Sequence, residues 1–286
     1  MPLLTQAPTP QEKKKLKAHL VSFVSPSQEY NAALFRKDAL AAIEKIRKKS
    51  RLPMLVGGTG LYLRALMDGL FEMGDTSLNS KQTELSDVSP EQIRKKLLRE
   101  QERHGGNYLH ERLERIDALS ALKIHPNDTR RLVRALEVHH VTGRPLSEQQ
   151  PNRQGIRELF QYRIFLLDRE RTDLYARIEE RVDRMIRQGL AKEVKRVLKK
   201  NLSRTASMAL GIREIGAYLN GVVGATGRSP LRRQEAILLL KQHTRNYAKR
   251  QLSWFRHEKD VECVPVPSGE SPKKTAEKIL RLWKNK

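Results

Sequence analysis

Three glycines and a threonine have the clearest potential for chemistry in this sequence. Gly57, Gly58, Thr59 and Gly60 follow the apolar run Met54–Val56 and precede an apolar pattern with helical spacing. Glycines allow a ligand to approach the backbone closely, and unpaired N–H groups at a helix N-terminus attract anions. The pattern therefore predicts a phosphate or diphosphate site to which Thr59 adds a hydroxyl. A glycine-rich turn with Thr59 as a simple N-cap is the alternative interpretation.

The charge of the chain points to a partner rich in phosphates. Lys and Arg number 56 against 33 Asp and Glu, which gives a formal net charge of +23 over 286 residues. An enzyme that acts on small metabolites does not need such an excess of basic residues, whereas a protein that binds nucleic acid gains affinity by releasing counterions from phosphates. The composition therefore favours nucleic-acid binding, with a merely soluble basic surface as the alternative.

Two segments concentrate basic residues in patterns that suit RNA. In the first, Arg130 and Arg134 share one face of a predicted helix beside Arg131, and Glu137 has the spacing to pair with Arg134. The second segment interleaves cations with aromatic residues, namely Lys249, Arg250 and Arg256 with Tyr247, Trp254 and Phe255. Cations bind phosphates and aromatic faces stack on unpaired bases. The alternatives are a solvated basic face and, for the aromatic residues, packing in the core.

Several other classes of protein do not fit the sequence. Cys263 is the single cysteine, so no disulfide can form within the chain, which fits a reducing cytoplasm. No apolar run approaches the ~20 residues of a membrane span, and no signal-peptide core is present. No His/Cys cluster or carboxylate constellation marks a metal site. We therefore expect a soluble, cytoplasmic protein without membrane contact.

Apolar periodicity predicts the elements that position these residues. Short apolar runs predict strands at His19–Val24, Leu52–Val56, Tyr162–Leu167 and Val261–Val266. Helical spacing predicts a helix after Thr59, with Leu61, Ala65 and Leu66 on its apolar stripe, and further helices at Asn31–Lys48, Pro90–His104, Tyr108–Ile116, Asp128–Thr142, Thr172–Gln188, Leu190–Lys199, Ile212–Leu219, Ser229–Arg256 and Lys273–Trp283. Met1–Lys17 is expected to be irregular and Asp75–Val88 a loop. The alternation of strands and helices favours an α/β fold with a mostly parallel sheet.

Five segments in succession resemble the tRNA dimethylallyltransferases, also called the tRNA isopentenyltransferase family. They are LPMLVGGTGLYLRALMDGL at Leu52–Leu70, and the segments Ile124–Glu148, Asp168–Val194, Ala209–Gly221 and Arg245–Arg256. The resemblance implies a P-loop NTPase-like parallel sheet core with an inserted all-helical domain that binds the tRNA anticodon stem. We therefore expect a core at 1–74 and 147–286, with basic C-terminal helices, and an insertion at 75–146.

The resemblance also implies a reaction and a set of site residues. A dimethylallyl group moves from dimethylallyl diphosphate to N6 of the adenosine 3′ to the anticodon, with Mg²⁺ as cofactor and the protein acting as a monomer. Thr59 is implied as catalytic, where a flipped adenosine meets the prenyl diphosphate, and Gly57, Gly58 and Gly60 as diphosphate-binding. The implied tRNA contacts are Arg94, Arg130, Arg131, Arg134, Arg213, Lys249, Arg250, Trp254 and Arg256. Met208 and Ile212 replace polar residues of the family segment that includes Arg213.

The sequence departs from the family at its front. Family members open with a strand, a GPTASGKT-type phosphate loop, a helix and a strand that ends in Asp-Ser. Thr5–Pro10 resembles the family segment that lies just after that Asp. We expect the phosphate loop and general base to be missing from the chain as written, through a wrongly assigned start or a genuine truncation. A non-catalytic module that binds tRNA anticodon stem-loops is the alternative function; the charge disfavours a third, prenyl transfer to free adenylates.

Replacement of Arg130 tests the predicted RNA surface. We expect Arg130→Ala to weaken tRNA binding and to reduce the slope of log affinity against log salt concentration by about 1, since one phosphate contact is lost. Filter binding over a salt series measures both quantities. An unchanged affinity and slope would rule out this contact.

Overall fold

The computed structural model describes residues 1–9, 11–12, 17–70, 89–149, 155–221 and 232–285. The chain divides into two compact units. One unit, here called the sheet unit, comprises Met1–Leu66 and Arg157–Lys286, and the other, the helical unit, comprises Met67–Ile156. The domains expected at 1–74, 75–146 and 147–286 stay a prediction. The loop expected at Asp75–Val88 lies outside the described residues.

Helices dominate the part of the chain that the structure describes. In chain order, the first elements are α1 (Pro2–Thr5), α2 (Ala32–Arg47), α3 (Gly60–Met67), α4 (Pro90–His104), α5 (Tyr108–Ile116), α6 (Ala118–Ala121), α7 (Thr129–Thr142) and α8 (Leu146–Gln149). They are followed by β1 (Ile164–Asp168), α9 (Arg171–Arg187), α10 (Leu190–Leu198), α11 (Arg204–Ser207), α12 (Ile212–Leu219), α13 (Arg233–Arg256), β2 (Val261–Pro265) and α14 (Pro272–Lys284). None of the described helices is both long and apolar enough to cross a membrane.

The sheet of the described residues is parallel and small. β1 and β2 pair in register from Ile164 opposite Val261 to Asp168 opposite Pro265. Both strands were predicted within two residues of their observed ends. Since parallel strands need a connection that crosses back over the sheet, the helices between β1 and β2 make this unit an α/β structure.

Two predicted strands are wrong. Leu52–Val56 forms no strand and is not buried, because Leu52, Met54, Leu55 and Val56 are 50–85% exposed. No described strand runs beside this segment, so its backbone has no strand to pair with and its apolar side chains stay exposed. His19–Val24 also forms no strand, since Leu20 and Ser22 have φ of 56° and 54°, values that break an extended chain.

The core of the sheet unit lies among α9, α10, α12 and α13. Its most buried side chains include Leu190, Val194 and Ile215. Leu4 also joins this core and packs against Gly211, whose φ of 93° and closeness to Leu4 exclude a side chain there. Met1–Lys17 is therefore not irregular throughout, as the sequence led us to expect. Its helix α1 is held by a buried carboxylate, Glu193, which accepts hydrogen bonds from the amides of Leu3 and Leu4 at 3.1 and 2.9 Å.

The helical unit confirms the three helices predicted for it. Ser89 caps α4 in a reciprocal capping box with Gln92, and the side chain of Asp128 accepts from the amide of Arg131 at the start of α7. Leucines of α4, α5 and α7 fill its core, namely Leu97, Leu109, Leu113, Leu132 and Leu136. These helices hold the exposed basic residues of α4 and α7 on a packed scaffold.

Truncation of Leu4 tests whether the first residues belong to the core. We expect Leu4→Ala to lower the free energy of unfolding by about 2–5 kcal/mol, since it removes a buried side chain and leaves a cavity. Urea denaturation measures the loss. Leu280→Ala, at a position 56% exposed in α14, is the matched control and should change stability by no more than about 0.5 kcal/mol. Equal effects of the two substitutions would contradict a core role for α1.

Candidate functional site

The turn at Gly57–Gly60 leads directly into helix α3. The carbonyl oxygen of Thr59 accepts hydrogen bonds from the amides of Tyr62 and Leu63 at 2.9 and 3.2 Å, so Thr59 lies at the N-cap position. Its side chain is exposed, and neither its hydroxyl nor the amides of Thr59 and Gly60 bond to any described atom. Free donors thus converge at the N-terminus of α3, as a bound anion would require.

Helix α3 anchors the turn through one face. Ala65 and Leu66 are 0% and 1% exposed, as their predicted place on the apolar stripe requires. Leu61 is 61% exposed and does not belong to that stripe, which corrects the sequence interpretation. Tyr62 stacks on Phe35 of α2 with ring centroids 4.5 Å apart. The first turn of α3 is therefore packed on one side and open on the side of Thr59.

Helix α13 lies against the backbone of this turn. Gln251 donates a hydrogen bond from Nε2 to the carbonyl oxygen of Gly58 at 2.7 Å. A Cβ atom added at Gly58 would overlap the Gln251 amide, and one added at Gly60 would overlap the ring of Trp254. At Gly57 an added Cβ would meet open space. Contact with α13 therefore explains why Gly58 and Gly60 lack side chains. The sequence pattern explained all three glycines by the close approach of a ligand.

A chain of ionic contacts fixes the ring of Trp254. The guanidinium of Arg64 lies over that ring, 4.8 Å from its centroid. Arg64 donates from Nε to Glu258 at 2.9 Å, and Arg157 donates to the other oxygen of the same carboxylate at 2.8 Å. Glu258 is buried, with 3% of its side chain exposed, so two cations compensate its charge. Trp254 is half-buried, as expected from the sequence, and its contact with tRNA stays a prediction.

The other predicted cations of α13 differ in their surroundings. Lys249 and Arg250 are exposed, and the guanidinium of Arg250 lies 5.8 Å from the ring centroid of Tyr247. Arg256 instead donates to both carboxylate oxygens of Asp168, at the end of β1, at 2.9 and 3.1 Å. Lys249 and Arg250 are thus free for phosphate contact, whereas Arg256 also ties α13 to the sheet.

Arg213 projects from α12 beside a buried carboxylate. Its side chain is exposed and lines an open cavity of about 520 Å³ with Glu214 and His243. Glu214 accepts from the amide of Gly211 at 2.7 Å and contacts Nδ1 of His243 at 2.6 Å. Ile212 is 4% exposed and belongs to the core, so the apolar replacement at this position of the family segment fills the interior.

In the helical unit, one buried carboxylate holds two of the predicted arginines. Glu137, 1% exposed, accepts from Nε and Nη2 of Arg94 at 2.9 and 2.7 Å and from Arg134 at 3.1 Å. The pairing of Glu137 with Arg134 is confirmed. The hydrogen bond to Glu137 raises the pKa of the Arg94 guanidinium. Arg130 and Arg131 are exposed, and Arg131 lies 3.6 Å from Asp128. These four arginines all lie on α4 and α7.

Sequence analysis missed the residues that support the turn. Gln251 lies three positions before Trp254, so both face the same side of α13, but this spacing does not reveal what they touch. Arg64 and Glu258 are far apart in the chain and carried no signal.

The described residues do not fit a magnesium site built by protein ligands alone. They contain no group of three or more His, Cys, Asp or Glu side chains arranged to hold a metal ion. Mg²⁺ prefers carboxylate oxygens together with substrate phosphates. Among the described residues, the turn itself offers the hydroxyl of Thr59 and the amides of Thr59 and Gly60 as donors.

A parallel α/β core with unpaired donors at a glycine turn is typical of proteins that bind phosphate groups. The family model described as IPP transferase matches residues 1–258. The chain belongs to this family. The match spans both units of the fold and every residue predicted for the site.

Individual relatives agree with the family. A protein named tRNA dimethylallyltransferase from Thermotoga neapolitana is 38% identical over 284 residues, which cover 98% of this chain and 85% of the relative. Another of that name from Carboxydothermus hydrogenoformans is 39% identical over 273 residues, covering 95% and 81%. The crystal structure of the tRNA isopentenylpyrophosphate transferase from Bacillus halodurans is similar, with a TM-score of 0.61, 32% identity and coverage of 99% of this chain and 82% of that one.

Neutralising Glu137 tests its role as the shared partner of two arginines. We expect Glu137→Gln to lower the free energy of unfolding by about 1–3 kcal/mol, because two guanidiniums lose a charged acceptor. Arg131→Ala removes only an exposed, longer ion pair on the same helix and should cost no more than about 0.5 kcal/mol. Urea denaturation compares them, and equal losses would argue against the shared pairing.

Proposed function

We propose that this chain prenylates tRNA by transferring a dimethylallyl group from dimethylallyl diphosphate to N6 of the adenosine 3′ to the anticodon. In this reaction the C–O bond to the diphosphate breaks, a bond from N6 to the allylic carbon forms, and N6 loses a proton. The leaving diphosphate gains negative charge in the transition state, so fixed donors around it lower the barrier. The family membership of nearly the whole chain supports this proposal.

One observation carries the assignment of the site. The exposed hydroxyl of Thr59 and the amides of Thr59 and Gly60 have no described partner, and all lie at the N-terminus of α3. In our proposal these donors bind the diphosphate, and the close backbone at Gly57, Gly58 and Gly60 lets it approach. The adenosine is flipped out of its stack to reach the allylic carbon. Mg²⁺, implied by the family resemblance, stays a prediction.

Each unit, taken by itself, carries residues that we propose to contact tRNA. In the helical unit Arg94, Arg130, Arg131 and Arg134 bind phosphates of the anticodon stem-loop. In the sheet unit the proposed contacts are Arg213, Lys249, Arg250, Trp254 and Arg256. All of these residues except Arg94 and Trp254, which are half-buried, are exposed, and this exposure supports the role. We further propose that the core is P-loop NTPase-like and that the helical unit is the insertion that binds tRNA. We also propose that the enzyme is a monomer in the cytoplasm.

A transfer assay tests the function directly. The purified chain is incubated with tRNA, labelled dimethylallyl diphosphate and Mg²⁺, and the modified nucleoside is identified by mass spectrometry after digestion. We expect prenylated adenosine at the position 3′ to the anticodon, a product that would show that transfer proceeds without the phosphate loop and general base expected to be missing. Salt-dependent tRNA binding without any product would instead support the non-catalytic binding module. Product on free adenylates but not on tRNA would support the third hypothesis.

Replacing Thr59 tests the role of its hydroxyl. We expect Thr59→Ala to lower kcat about 10²-fold, because a donor to the leaving group is removed, and to leave tRNA affinity unchanged. Thr59→Ser keeps the hydroxyl and should retain most of the activity. Single-turnover kinetics and filter binding separate the two quantities. An equal loss in the Ala and Ser variants would show that the methyl group, and not the hydroxyl, matters.

A further inference from the structure

We infer that Gln251 and Trp254 of α13 are positioning residues that set the backbone of the turn carrying Thr59. This inference rests on the proposed function of that turn. Neither side chain needs to touch the substrate in this role. Gln251 acts through the carbonyl of Gly58, and Trp254 acts through the backbone of Gly60.

The turn receives no support from the segment that precedes it. The preceding segment, Leu52–Val56, pairs with no described strand and is largely exposed. A glycine-rich backbone has more accessible conformations than any other, so an unsupported turn would not hold a hydroxyl in one place. The hydrogen bond from Gln251 to Gly58, at 2.7 Å, is a side-chain contact that fixes this backbone directly.

Steric contact with α13 also restricts the backbone of the turn. The Gln251 amide and the Trp254 ring occupy the space that side chains at positions 58 and 60 would fill. The turn is thus packed against α13 at contact distance, and a displacement of either side chain would let the backbone move. A shift of about 1 Å in a reacting group can cost 10²-fold in rate.

Trp254 is itself held in place. Arg64 lies over its ring, and Arg64 in turn is fixed by the buried carboxylate of Glu258, which Arg157 also contacts. Since Arg64 belongs to α3, this network ties the helix that follows Thr59 to the helix that supports the turn. The N-terminus of α3 is therefore fixed at Gly58, at Gly60 and one helical turn further on.

Two substitutions of Gln251 test the inference through a split between kcat and KM. Gln251→Ala removes the side chain, and Gln251→Glu keeps its shape but replaces the donor with a carboxylate. We expect both to lower kcat between about 10- and 100-fold while KM for tRNA stays unchanged, because the turn and not the RNA contact is disturbed. Gln242→Ala, an exposed position on the same helix, is the matched control and should leave both constants as they are.

A double substitution tests whether Gln251 acts through Gly58. Gly58→Ala should lower kcat in the wild-type background because its methyl group displaces the Gln251 amide. In the Gln251→Ala background that space is vacant, so adding Gly58→Ala should cause little further loss. Gly57→Ala, where the methyl group meets open space, should lower kcat less than Gly58→Ala does. Strictly additive effects of the two substitutions would argue against a shared mechanism.

The outcomes separate this inference from the function it rests on. The positioning role is overturned if the wild-type chain is active and both Gln251 variants have the same kcat as the wild type. It is also overturned if these variants differ from the wild type only by a raised KM for tRNA. Either result leaves the proposed function intact. A wild-type chain that makes no product would overturn the function. In that case calorimetry with inorganic pyrophosphate tests the positioning role without the reaction. Weaker pyrophosphate binding in Gln251→Ala and Gly58→Ala, but not in Gln242→Ala, supports the inference. Equal binding in the wild type and all three variants, or no binding in any of them, overturns it.

Discussion

The candidate site depends on the close approach of one long helix to a glycine-rich backbone. Gln251 and Trp254 can contact the turn because Gly58 and Gly60 carry no side chains. Thr59, which lies between these glycines, is exposed, and the amides of Thr59 and Gly60 bond to no described atom. The same short turn thus packs against α13 and keeps the side chain of Thr59 open to solvent. A Cβ atom at Gly58 would displace the Gln251 amide, and one at Gly60 would overlap the Trp254 ring.

Most helices could be predicted because their signals are local. The side chain of Asn31 accepts from the amides of Ala33 and Leu34, as its place before an apolar pattern suggested, and Ser89 and Asp128 cap their helices in the same way. Apolar spacing also accounts for the inward face of α7, where Leu132 and Leu136 are buried. The exposed arginines follow from the same periodicity, because they lie on the face of the helix that does not pack in the core.

The remaining features depend on partners distant in the chain. An apolar run such as Leu52–Val56 has the composition of a strand, but a strand exists only where another strand pairs with it. The contacts of Gln251 with Gly58 and of Arg64 with Glu258 join residues almost two hundred positions apart. Periodicity cannot reveal such pairs. Leu4 shows the same limit, because the amides of Leu3 and Leu4 hold this short segment against the core through hydrogen bonds to the distant Glu193.

The shared carboxylate of Glu137 has a consequence for the thermodynamics of RNA binding. Long arginine side chains normally lose rotational freedom when they meet a phosphate, which costs about 0.5–1.5 kcal/mol for each. Arg94 and Arg134 have already lost much of this freedom on folding, since Glu137 holds both guanidiniums. In the proposed contact with tRNA phosphates, these two guanidiniums would therefore act as preorganised donors, because their loss of rotational freedom occurs on folding and not on binding.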